Sequence, residues 1–139
     1  MLPEMKFHHI GVAVNSIETT APLYVEAGYS SSQTIVDPKQ NIRICWLTKD
    51  GEPTVELLQA VDGESPVVKT LEKNGVTPYH TCYIVENIDD ACKKLRKMKY
   101  MLVSRPVEAV AFCGSKVCFL YNKDMGLIEL VESPAKIID

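Results

Sequence analysis

The chain contains itself twice, and this constrains its fold more than any other feature. Sliding the sequence by 71 residues sets His9 on His80 (80 − 9 = 71). Without a gap, the run from His9-Ile10-Gly11-Val12 through Asn15-Ser16-Ile17-Glu18 faces His80-Thr81-Cys82-Tyr83 through Glu86-Asn87-Ile88-Asp89, and the match continues until Tyr29 meets Tyr100. Each copy reads as an apolar strand, a polar Asn corner, a helix, and an aromatic residue opening a second strand. Farther on, Val55-Glu56-Leu57-Leu58 matches Ile128-Glu129-Leu130-Val131 once two residues of loop are allowed (129 − 56 = 73). Each half therefore closes on an apolar strand that carries one acid.

Local chemistry supports the same division. β-branched runs bounded by Asp-Pro and Asp-Gly turns predict strands near residues 7–14, 34–36, 42–47 and 54–59, and again near 79–85, 100–104, 116–121 and 126–131. In the second half Asn87 serves as an N-cap, and the helix after it buries Ile88, Ala91, Cys92, Leu95 and Met98 at helical spacing. In the first half Pro22 lacks an N–H and is best placed in a first turn, so the regular helix is expected from Thr19 or Thr20. A linker helix is expected with Ser65 as cap, Pro66 at the first helical position and Gly75 as stop. The reading is an α+β chain of eight strands: a single domain over 1–139, with module one about 6–60, the linker helix about 65–75 and module two about 78–133.

Composition excludes several classes. With 139 residues, 46% of them hydrophobic, one continuous core is within reach. A formal charge of −3 supplies no basic field for nucleic acid. No apolar run approaches the roughly 20 residues needed to span a bilayer, and the first residues lack a basic stretch followed by an apolar one, so the chain reads as cytoplasmic. Cys45, Cys82, Cys92, Cys113 and Cys118 are odd in number and form no CxxC pair, which argues against a disulfide framework and a thiolate zinc site, and for a reducing compartment. Cys92 and Cys118 fall on apolar faces and read as core.

The remaining question is what two His and two Glu do at repeat-equivalent positions of apolar strands. An isolated carboxylate buried there costs several kcal/mol, so it must be paired, protonated or bound to a cation. One divalent metal would satisfy His9, Glu56, His80 and Glu129 together. Imidazole and carboxylate donors suit Zn²⁺, Ni²⁺, Co²⁺ or Mn²⁺ alike. A lone strand His is more often a hydrogen-bonded structural residue, and a lone strand Glu often faces solvent, but two accidents would not respect one internal symmetry. Alternation puts His9 on one side with Gly11 and Ala13, whose small size leaves room for a ligand, and turns His8 to the other side. Trp46 and Phe119 read as core or subunit-contact residues, and the run Lys93 to Lys99 as a solvated helix face.

The runs His9-Ile10-Gly11-Val12-Ala13-Val14, Tyr79-His80, Val55-Glu56-Leu57-Leu58 and Gly126-Leu127-Ile128-Glu129-Leu130-Val131 resemble the vicinal oxygen chelate (glyoxalase/bleomycin resistance/dioxygenase) superfamily, in particular methylmalonyl-CoA epimerases and glyoxalase I enzymes. The resemblance implies two βαβββ modules forming an open, cup-shaped eight-stranded sheet around a metal held by His9, Glu56, His80 and Glu129. It also implies a metal-dependent isomerase or lyase that moves a proton next to a carbonyl through a stabilised enolate, with Glu129 and Glu56 as the proton-moving groups. Its substrate would be a small molecule, an acyl-CoA or the thiol adduct of a 2-oxoaldehyde, and its assembly a homodimer. Glu56 argues against the iron dioxygenase branch, which uses one Glu. Two departures from the epimerase pattern stand out. Lys39 occupies the place of a further acid, which Asp37 could fill only if the loop shifts, and Ala109 to Ser115 replaces a run containing glycine and histidine. Cys113 in that run reads as a surface or packed thiol before a ligand contact. A glyoxalase I-like enzyme and a non-catalytic small-molecule binding or resistance protein are the alternatives.

Overall fold

The period-two alternation that splits polar from apolar along each strand also determines what each strand buries. The computed structural model describes residues 1–139 and contains three α-helices and nine strands of mixed sheet, an α+β fold. By internal contacts it divides into two compact units, residues 9–79 with 138–139, and residues 1–8 with 80–137.

The first unit carries most of β1 (Lys6–Ala13), then α1 (Ile17–Glu26), β2 (Ser30–Ser31), β3 (Ile35–Asp37), β4 (Ile42–Thr48), β5 (Thr54–Ala60) and α2 (Val68–Asn74). The order is β2-β4-β5-β1, with β3 also on β4; β1 runs parallel to β5, and β4 antiparallel to it. Returning parallel requires a crossover, and α1 supplies part of it. Ile17 and Ala21 of α1 pack on Cys45, Leu47, Val55 and Leu57 from the sheet. Each Ile, Leu or Val among them contributes about 1.5–3 kcal/mol on burial.

The second unit repeats the plan with β6 (Thr77–Val85), α3 (Ile88–Lys97), β7 (Met101–Glu108), a 3₁₀ turn (Val110–Phe112), β8 (Lys116–Asn122) and β9 (Gly126–Glu132). The order is β6-β9-β8-β7, with β6 parallel to β9. Asn87 Oδ1 accepts from Asp90 N at 3.0 Å, and Glu132 accepts from Ile88 N at 3.0 Å, so two of the open N–H groups at the start of α3 are satisfied. Ile88, Ala91, Cys92 and Leu95 face Cys118, Leu120, Ile128 and Leu130 across a closed apolar layer, against which Leu2 and Met5 also pack.

The structure departs from the sequence reading at several element ends. A ninth strand, the two-residue β2, pairs on the edge of β4. Helix α1 begins at Ile17 despite Pro22, because Ser16 Oγ accepts from Thr19 N and Gln59 Oε1 accepts from Ile17 N, fixing the start ahead of Thr19. Helix α2 begins at Val68 with Val67 as an N-cap lacking a side-chain bond. Ser65 Oγ instead accepts from Val61 N and Asp62 N, so it ties the preceding turn rather than capping the helix. Met98 is the C-cap of α3 and is exposed, since the chain leaves the helix before that position turns inward. Strand β7 runs on to Glu108 with register shifts after Leu102 and Ser104.

Candidate functional site

In each unit one His and one Glu meet. His9 on β1 and Glu56 on β5 lie near each other because the parallel register sets Thr54 opposite His9 and Gly11 opposite Glu56, and Gly11 adds no side chain beside the carboxylate. His9 Nε2 stands 3.2 Å from Glu56 Oε1, with both side chains almost wholly buried. In the second unit Cys82 is opposite Glu129, and His80 Nε2 stands 3.3 Å from Glu129 Oε1, again buried.

An aromatic ring completes each pair. Trp46 is directly across β4 and β5 from Glu56, and its ring meets His9 edge-on with centroids 4.8 Å apart. Phe119 is directly across β8 and β9 from Glu129, and meets His80 edge-on at 5.2 Å. The sequence reading gave neither aromatic a role. The signal was present, since Trp46 and Phe119 are separated by the same shift as Glu56 and Glu129 (119 − 46 = 73). Read alone, an aromatic in an apolar strand looks like ordinary core.

The donor set fits a divalent cation. Metal–nitrogen and metal–oxygen bonds of about 2.0–2.2 Å put neighbouring ligand atoms at a right angle about 3.0 Å apart, and at a tetrahedral angle about 3.4 Å apart. The two nitrogen to oxygen separations fall in that interval. Imidazole with carboxylate, without thiolate, is a set that Zn²⁺, Ni²⁺, Co²⁺ and Mn²⁺ accept.

Other residues flagged in the sequence lie elsewhere. His8 is half-buried, its ring edge-on to Phe112 at 5.2 Å, in keeping with a structural role. Asp37 is buried, and its carboxylate accepts from Lys39 N (2.9 Å), Gln40 N (3.1 Å) and Gln40 Nε2 (2.7 Å), so it is tied into its own turn. Its partner Ile42 is four residues along β4 from Trp46, roughly 13 Å at strand spacing, which sets Asp37 well away from Glu56. Cys113 is exposed in a left-handed turn (φ 54°). Lys94 lies on the solvent side of α3, 3.8 Å from Glu4. No helix is long and apolar enough to cross a membrane.

Two repeat-related units, each with a His–Glu pair on neighbouring parallel strands, define a class. The chain belongs to the Glyoxalase/Bleomycin resistance protein/Dioxygenase superfamily, whose family model matches residues 8–119. Within it, the human mitochondrial methylmalonyl-CoA epimerase is 30% identical over 132 residues, covering 92% of this chain and 74% of that one. The crystal structure of methylmalonyl-CoA epimerase from Mycobacterium tuberculosis has the same fold, with a TM-score of 0.83 at 27% identity over 95% of this chain and 92% of that one. The Streptomyces coelicolor epimerase, solved in complex with 2-nitronate-propionyl-CoA, superimposes with a TM-score of 0.80 at 28% identity over 93% and 97%.

Proposed function

We propose that the chain is one enzyme domain in which His9, Glu56, His80 and Glu129 hold a single divalent cation, and that it shifts a proton on the carbon next to a thioester carbonyl, as a methylmalonyl-CoA epimerase does. The observation that carries this reading is the pair of repeat-related His–Glu contacts, each at ligand spacing in a buried setting. When bound, the cation supplies Lewis-acid stabilisation of the negative charge that develops on the substrate oxygen.

The protein residues do the rest. His9 and His80 serve as fixed donors, held edge-on by Trp46 and Phe119. Inverting a carbon requires a proton to leave one face and return to the other, which calls for two proton-transfer groups. Asp37 is committed to its turn, and Glu56 and Glu129 are the buried carboxylates of the two pairs, so they are assigned to take and return the proton. Burial of both carboxylates keeps bulk water from competing for it. Of the two activities that the sequence resemblance implies, the names of the curated relatives favour the epimerase over glyoxalase I.

The test follows the α-proton of methylmalonyl-CoA in D₂O with metal-loaded protein. Wild type exchanges it, and Glu129→Gln and Glu56→Gln each slow exchange by about 10²- to 10⁴-fold. Full exchange by both variants excludes the two acids as bases. Tight binding of the thioester by metal-free protein, with no exchange under any metal, points instead to a non-catalytic binding protein.

A further inference from the structure

We propose that Cys92 and Cys118 form an oxidation site, in which hydrogen peroxide converts the two thiols into a reversible disulfide that ties α3 to β8. Their sulfurs lie 3.1 Å apart across the helix–sheet layer, although the residues are 26 positions apart in sequence. A disulfide bond is about 2.05 Å long, so closure draws the sulfurs together by roughly 1 Å. Both residues belong to the same apolar cluster, and each side of the contact rests on a regular element.

The two thiols are not equivalent. Cys92, on α3, keeps 7% of its surface exposed, and Cys118, on β8, keeps none. Cys92 is the less enclosed residue of a buried pair, and so takes the part of the thiol that meets the peroxide. The Cys92 sulfur attacks one peroxide oxygen, the O–O bond breaks, and Cys92 becomes a sulfenic acid with release of one water. Cys118 sulfur then attacks Cys92 sulfur, the S–O bond breaks, and the hydroxide leaves with the Cys118 proton as a second water. Sulfur is oxidised and peroxide oxygen reduced, two electrons in all. The sulfur–sulfur contact with Cys118 holds the Cys92 thiol below its ordinary range, which favours the attacking thiolate, while that contact and burial push Cys118 up. Cys113 is exposed in a turn, and Cys45 contacts Ser31 Oγ at 3.2 Å.

The experiment treats the intact wild-type protein with hydrogen peroxide, alkylates the remaining thiols and maps the peptides by mass spectrometry. The expected result is a single Cys92–Cys118 cross-linked peptide lacking two hydrogens, undone by dithiothreitol, with a rise in Tm on the order of 10 °C that dithiothreitol also removes. A Cys113→Ser variant gives the same cross-link. Recovery of both Cys92 and Cys118 as alkylated thiols while Cys113 is oxidised overturns the proposal, as does Cys92 advancing to sulfinic acid beside a free Cys118. Neither readout requires Cys92→Ser or Cys118→Ser to fold.

Discussion

Trp46 meets His9 edge-on, with ring planes at 84°, and the same Trp46 is the cross-strand neighbour of Glu56. One side chain therefore borders both members of the first His–Glu pair. Phe119 borders His80, at 86°, and Glu129 in the same way. An imidazole packed against a ring edge in a close-packed interior has little freedom to turn, so its nitrogen stays aimed at the carboxylate.

Removing the Trp46 ring should therefore be costly. Trp46→Ala destabilises the protein by about 3–5 kcal/mol. Trp46→Phe, which gives the first half the aromatic of the second, loses less. Urea titration of the three proteins checks this, and equal losses for the Ala and Phe variants would show that the ring contributes nothing of its own.

Chelation should lower stability if the two pairs share a cation. At a free metal concentration near a hundred times Kd, binding to the folded state adds about 2.7 kcal/mol. Thermal scans with EDTA, and then with excess Zn²⁺ or Co²⁺, should show Tm fall and recover. His80→Ala should lose the recovery. A Tm indifferent to metal in wild type would count against the shared site.

Helix α3 begins on two side-chain acceptors, Asn87 and Glu132. Asn87→Ala removes the acceptor for Asp90 N and should cost about 1 kcal/mol, whereas Asn87→Gly should cost only a few tenths. Denaturant midpoints would read this at unchanged slope, and a change in slope would mean that the denatured or native ensemble had shifted instead.

Tyr79 gives a pH-dependent expectation. Burial disfavours its phenolate and raises its pKa above the ordinary 10.0. The folded state therefore holds this proton more tightly than the unfolded chain does. Its contribution is fully present below about pH 10 and is lost as pH rises through the raised folded value. Tyr79→Phe should show a shallower loss of stability in that alkaline range; matching curves for the two proteins would mean that Tyr79 titrates alike folded and unfolded.

Much of the fold was legible in the sequence because the duplication aligned strands, caps and acids at once. His9 with His80, and Glu56 with Glu129, could be picked out because polar residues are conspicuous in apolar strands. Trp46 and Phe119 were not conspicuous there, and only the shared shift of 73 distinguishes them. Helix ends were harder to read. The start of α1 depends on Gln59, which is 42 residues away and invisible to a local reading. Ser65 looked like a helix cap because Pro66 follows it, but its hydroxyl serves Val61 and Asp62 instead. β2 is too short for periodicity to register, and the register shifts in β7 blur its pattern.

The tandem architecture also makes the molecule its own control. Perturbations within the matched segments of one copy have a counterpart 71 or 73 positions away in the same polypeptide, made in the same cell and measured in the same cuvette. Trp46 against Phe119, or Gly11 against Cys82, are natural substitutions already present in one chain, and exchanging them between copies asks what each half tolerates without reference to another protein.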